Sequence, residues 1–195
     1  MEEASQRYHE QLQGHSAAEY LAGRGLTPEV ISRFRLGVVE SPSQGHESYK
    51  GCLSIPYLSN YGILTIRWRP LYESDAKYLT SPGDKDWLYN PQALERGTRG
   101  ICLCEGEFDT MIAEMCGLPA VGLPGSTKWE PAWTRLFSDY QYVVLLQDDD
   151  EAGRKMAARL GKILRNLRPV VMTGGDVNSF FQQHGAEALR EKVLG

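Results

Sequence analysis

Acidic residues stand where short apolar runs stop. Glu105 follows Gly100-Ile-Cys-Leu-Cys104 directly, and Asp148 follows Tyr142-Val-Val-Leu-Leu146 after only Gln147. Asp150 lies two residues further on, so on extended backbone its side chain points the same way as that of Asp148. Carboxylates gathered like this offer several oxygens to a hard divalent cation, Mg²⁺ or Mn²⁺ rather than zinc. Asp148-Asp-Asp-Glu151 also has a structural reading, because acids ahead of a helix cap its first turn and favour its dipole. A matching turn, Glu105-Gly-Glu-Phe-Asp109, weakens that reading. In it, Gly106 permits a tight strand-to-helix turn, and Asp109 lies about one helical turn further on.

Such residues need a scaffold that brings distant stretches to one edge. Apolar runs at 100–104, 120–123, 142–146 and 169–172 alternate with helical patterning over 108–116 and 151–167. That alternation predicts βαβ units and a mostly parallel central sheet flanked by helices. Ligands of open parallel sheets bind outside the carboxyl ends of the strands, where Glu105 and Asp148 both emerge.

The first half has another rhythm. Ser16-Ala-Ala-Glu19 has capping-box spacing for one short helix, and Thr27-Pro28-Glu29 opens a second that ends near Gly37. Cys52-Leu-Ser-Ile-Pro-Tyr-Leu58 and Ile63-Leu-Thr-Ile-Arg-Trp-Arg69 read as a hairpin, with Pro56 favouring an edge position. Lys77-Tyr-Leu-Thr80 and Trp87-Leu-Tyr89 read as further short strands, and Asn90-Pro91 as the cap of a helix through Arg96. The expected fold class is α/β, with an α+β subdomain over 1–97 and the parallel-sheet subdomain over 98–195.

Composition sets bounds on the function. Hydrophobic content of 42% and aromatic content of 10% suffice for a packed core. No window approaches the roughly 18 apolar residues of a membrane span, so no membrane association and a cytoplasmic location are expected, in the host cytoplasm if viral. The four cysteines and four histidines fall in no zinc-ligand spacing, so no zinc is expected. Cys102 and Cys104 share one face of a strand and read as reduced core thiols. A net charge of −4 argues against coating nucleic acid through bulk charge, yet carboxylates that hold cations are compatible with an enzyme of nucleic acids.

Cys104-Glu-Gly-Glu-Phe-Asp109 and Gln147-Asp-Asp-Asp-Glu-Ala-Gly-Arg154 together resemble the TOPRIM pattern in the version of DnaG-type primases, an E-G-x-x-D turn and a D-x-D strand end followed by x-A-G-R. Gly174-Gly-Asp-Val-Asn178 stands where that family has a third acidic turn. The resemblance implies Glu105, Asp148 and Asp150 as catalytic Mg²⁺ ligands, with Mn²⁺ a possible substitute. It also implies that Asp109, Asp176 and Asn178 support the site, although Asp176 also reads as a cap of the last helix. Asp149 replaces a glycine common in the family and receives no role.

Upstream, Tyr20-Leu-Ala-Gly-Arg-Gly-Leu26, Phe34-Arg-Leu-Gly37, Ser54-Ile-Pro56, Arg67-Trp-Arg69 and Lys77-Tyr-Leu-Thr-Ser-Pro82 resemble elements of a primase RNA-polymerase domain, in order. Thr80 departs from the asparagine common there. The resemblance implies nucleotide or template contacts at Arg69, Lys77 and Tyr78. Arg67 shares the strand, Lys128 lies in a loop after the second apolar run, and Arg154 belongs to the matched motif. Arginines bind phosphates bidentately, and Tyr78 or Trp68 offers a flat face for a base. Arg67 and Arg69 also read as an ordinary exposed strand face. The function expected from the resemblance is a primase catalytic core that makes RNA primers on a single-stranded DNA template from ribonucleoside triphosphates. Its expected partners are a replicative helicase and a separate zinc-binding primase module. The competing reading is a TOPRIM nuclease or a non-polymerising nucleic-acid-binding adaptor.

Overall fold

In the computed structural model, which describes residues 1–195, capping side chains start two of the three helices ahead of the first sheet. Helix α1 spans Glu2–Gln11, α2 Ser16–Gly23 and α3 Pro28–Arg33. The cap of α2 is His15 rather than Ser16: its Nδ1 accepts from the Ala17 N–H at 3.0 Å, and Ser16 is already helical. Thr27 caps α3 as expected, accepting from the Val30 N–H. This helix stops at Arg33, short of Gly37, because Arg35 turns to a φ of 50°.

Three antiparallel strands follow, β1 (Gly37–Val38), β2 (Cys52–Ser59) and β3 (Gly62–Pro70), in the order β1-β2-β3. Pro56 therefore sits in the middle strand, not at an edge. It is tolerated because β1 reaches only Leu53 and Ser54, so no ladder hydrogen bond is asked of it on that side. Tyr8, Val39, Tyr49, Cys52, Ile66 and Trp68 form one core cluster of this first unit, Met1–Lys85. The 77–80 segment is not a strand but a single bridge, Leu79 to Trp68. Thr65 fastens the following turn by donating from Oγ1 to Asp84 at 2.5 Å.

The second unit, Asp86–Gly195, alternates strand and helix: β4 (Gly100–Cys104), α4 (Glu107–Met115), β5 (Ala120–Gly122), α5 (Trp133–Ser138), β6 (Tyr142–Asp148), α6 (Glu151–Leu160), β7 (Leu167–Met172) and α7 (Val177–Leu194). All four strands are parallel in the order β5-β4-β6-β7, which realises the expected α/β sheet. Ile101, Leu103, Val143 and Leu145 pack with Trp133 and Phe137 of α5 and Met156 and Leu160 of α6. Their neighbours Cys102 and Cys104 point the other way, as period two requires. All four cysteines are buried free thiols, and burial pushes that of Cys102 up to about 12.

Residues 86–97 fall within this second unit, so its boundary precedes the expected one at 97. Leu88 and Ala93 are part of its core, and Tyr89 bridges to Gly122. The expected strand at 87–89 is only that bridge. Asn90 takes a left-handed conformation and gives its amide to the Ala120 carbonyl (2.8 Å), so it makes no side-chain cap for the 3₁₀ turn Pro91–Glu95. No helix is long and apolar enough to cross a membrane.

Candidate active site

Parallel register sets the acidic turns on one edge. Leu103 lies opposite Leu145, and Asp148 lies opposite Met172, so the chain leaves β4, β6 and β7 at their carboxyl ends through Glu105, Asp148 and the 173–176 turn. Asp148 ends β6 itself. Its Oδ1 is buried and meets no hydrogen-bond donor, and Glu105 Oε1 is equally shut off from solvent. Burial first, then the nearby Asp109, Glu105, Asp176 and Asp150, push the Asp148 carboxyl up to about 8. A carboxyl so placed is the group a cation would relieve.

Other members of the row serve the fold as well. Asp150 has extended backbone and caps α6, its Oδ1 accepting from the Gly153 N–H at 2.7 Å. Asp176 caps α7, its Oδ1 accepting from Ser179 N–H (2.7 Å) and Ser179 Oγ (2.6 Å). The capping reading and the acidic-edge reading thus apply to the same residues. Asp109, buried in the first turn of α4, accepts from the Asn178 N–H at 3.1 Å and ties α4 to the start of α7. No three of these carboxylates converge as a closed ligand group. Asp150 and Asp176 are turned toward helix starts, so the row is open.

Two glycines carry different weight. Gly106 is extended at φ −157°, which any residue adopts, and a Cβ there would meet only Asp109 Oδ2 at 3.9 Å, so the expected special turn is not what it supplies. Gly153 is the demanding one. A Cβ there would lie 2.3 Å from the Asp148 carbonyl oxygen and 3.0 Å from Glu105 Oε1. Only glycine lets the first turn of α6 sit against the end of β6 beside Glu105.

Asp149, which has no role in the family pattern, links two acidic turns. Its Oδ2 accepts from the Gly174 N–H (3.1 Å), and its own N–H donates to the Gly175 carbonyl (2.8 Å). Gly174 there has a φ of 90°, which a side chain rarely tolerates.

The basic residues fall into separate groups. In the first unit Arg67 and Arg69 share a face of β3, with guanidinium carbons 4.9 and 5.3 Å from the centre of the Tyr78 ring. Arg69 also faces Tyr20 at 6.0 Å, a partner the sequence did not single out. Burial works against the Arg69 charge, but the Tyr78 and Tyr20 hydroxyls hold it above its usual value. Lys77 beside them is exposed. Trp68 is no base platform: it is fully buried on the opposite face, stacked on Tyr49 at 4.4 Å. In the second unit, Lys128 Nζ is held by Asp86 Oδ2 at 2.9 Å, and Arg154 is exposed on α6.

Comparison with known proteins gives these features a context. The Toprim-like family matches residues 102–181. The chain is 43% identical to the gene 57 protein of Mycobacterium phage D29 over 151 residues, covering 74% of this chain and 99% of that protein. It is 26% identical to the DNA primase of Pasteurella multocida over 98% of its own length, and spans 41% of that primase. A DNA primase domain from Pseudomonas aeruginosa shares the fold, with a TM-score of 0.80 at 24% identity, covering 99% of this chain and 76% of that one.

Proposed function

The chain belongs to the TOPRIM family, among the DnaG-type primase catalytic cores, and on that premise we propose that it joins ribonucleotides along a single-stranded DNA template. The observation that carries this reading is Asp148, a half-buried carboxyl with one buried, unmet oxygen at the end of a parallel strand, surrounded by four further acids. Such a group suits a hard cation, and its donor set is all oxygen.

Glu105, Asp148 and Asp150 are assigned as the metal-holding catalytic residues, with Asp109 and Asp176 in support. Bound Mg²⁺, or Mn²⁺ in its place, supplies Lewis-acid activation of an attacking 3′-hydroxyl and neutralises phosphate charge. Asp150 caps α6 through Oδ1, so its second carboxylate oxygen can ligate without releasing the helix. Glu105 turns its carboxylate against the Gly153 backbone, which fixes where that charge sits.

Arg69, steadied by Tyr20 and Tyr78, is assigned to phosphates of template or nucleotide, with Arg67 and Lys77 beside it. Arg154 is free to meet phosphate, whereas Lys128 must exchange Asp86 for it, at small cost for a partly exposed pair. Helicase coupling and template selection are assigned to a replicative helicase and a separate zinc-binding primase module.

The test supplies single-stranded DNA, labelled ribonucleotides and Mg²⁺. Template-dependent oligoribonucleotides, absent with Asp148→Ala, are the expected products. Shortened DNA without synthesis would instead assign the site to a nuclease.

A further inference from the structure

Of the four tryptophans, Trp68 and Trp133 are buried and Trp129 is half-buried against the core, but Trp87 is 36% exposed. Its exposure is imposed by a fixed backbone. On one side Asp86 is held by Lys128 at 2.9 Å. On the other, Leu88 is buried, and Tyr89 exchanges two backbone hydrogen bonds with Gly122, at 2.8 and 3.0 Å.

That pairing also sets the sheet edge at which Trp87 lies. Tyr89 runs antiparallel to β5 at Gly122, so Trp87, two residues earlier, extends past the carboxyl end of β5. On its other side Gly122 is paired with Cys104, the residue before Glu105. Trp87 therefore stands on the edge that carries the acids, about two strand spacings or ~10 Å to the side of the β4 end. This separation is comparable with the length of one nucleoside phosphate.

We propose that Trp87 is the nucleobase platform of the acidic edge: its indole stacks on the base of a ribonucleoside triphosphate whose phosphates lie at the Glu105–Asp148 row. The inference rests on reading that row as a metal and phosphate site. An aromatic face accepts every base because every base has a π-face, which suits a reaction in which the template dictates the choice. Lys128, paired with Asp86 next to Trp87, can exchange that carboxylate for a phosphate.

Binding of two probes in Mg²⁺ separates base from phosphate: each of the four ribonucleoside triphosphates, and inorganic tripolyphosphate, which has no base. Trp87→Ala is expected to weaken all four nucleotides about tenfold, within the range of base–aromatic stacking, and to leave tripolyphosphate unchanged. Trp87→Phe is expected to recover most of the loss, and nucleotide should quench the wild-type tryptophan emission more than that of Trp87→Phe. Unchanged nucleotide affinity in Trp87→Ala overturns the inference while the site stands. Equal loss of both probes makes Trp87 a structural residue and overturns it too. A wild-type chain that binds neither probe overturns the reading of the site itself, and weakening of single-stranded DNA binding alone moves Trp87 to the template and overturns its role here.

Discussion

At the scale of single residues, Asp148 stands apart because its charge opposes the fold when no cation is present. Between the usual 3.8 and about 8 the folded chain keeps a proton on Asp148 that the unfolded chain has released. Folding stability from this group is therefore fully present below about pH 4 and declines as pH rises toward about 8. Asp148→Asn removes the penalty. Its melting temperature in chelator should exceed wild type by about a few degrees at pH 8, with the gap closing near pH 4. Mg²⁺ should raise the wild type and leave the variant unmoved; a constant gap across that range would contradict the assignment. The side-chain types of Glu105, Asp148 and Asp150 were legible because each follows an apolar run or its end. Asp149 was not, because its partners are backbone groups of Gly174 and Gly175, distant in sequence. Trp68 could have been read correctly: if Arg67 and Arg69 face solvent, period two sends Trp68 into the core.

At the scale of elements, the site depends on how closely α6 starts against β6. Gly153→Ala places a methyl 2.3 Å from the Asp148 carbonyl oxygen, so the helix or the strand end must shift. A stability loss of about 1–3 kcal/mol is expected in chemical denaturation, with loss of Mg²⁺-dependent synthesis. Gly23→Ala, where a Cβ meets nothing within 4 Å, should cost neither and serves as the comparison. The parallel strands were visible as apolar runs, and α4 and α6 as the helical stretches between them. Helix α5 went unread because Pro131 and Trp133 sit among loop-like residues, and its start is a backbone turn with no side-chain cap. The 77–80 and 87–89 segments look like strands by composition. Each forms only one bridge, because a strand needs a partner along its length and composition names none.

At the scale of the whole chain, a net charge of −4 means that nucleic acid must be held by local groups. The tyrosine-flanked Arg69 of the first unit is the group proposed for that role. Arg69→Ala should weaken single-stranded DNA binding and reduce the slope of log affinity against log salt by about 0.7, the release of one counterion. An unchanged slope would remove Arg69 from the template surface. The α/β class and the family pattern were readable from sequence, whereas the packing of 86–97 into the second unit depends on Leu88, Ala93 and the Tyr89–Gly122 bridge. The proposed function stands on a divalent cation held at the acidic edge of the second unit, and calorimetric titration of the chelator-treated chain with Mn²⁺ reads that binding. Saturable binding to the wild type, lost in Asp148→Ala and competed by Mg²⁺, is expected; equal binding by the two proteins, or none by either, would contradict it.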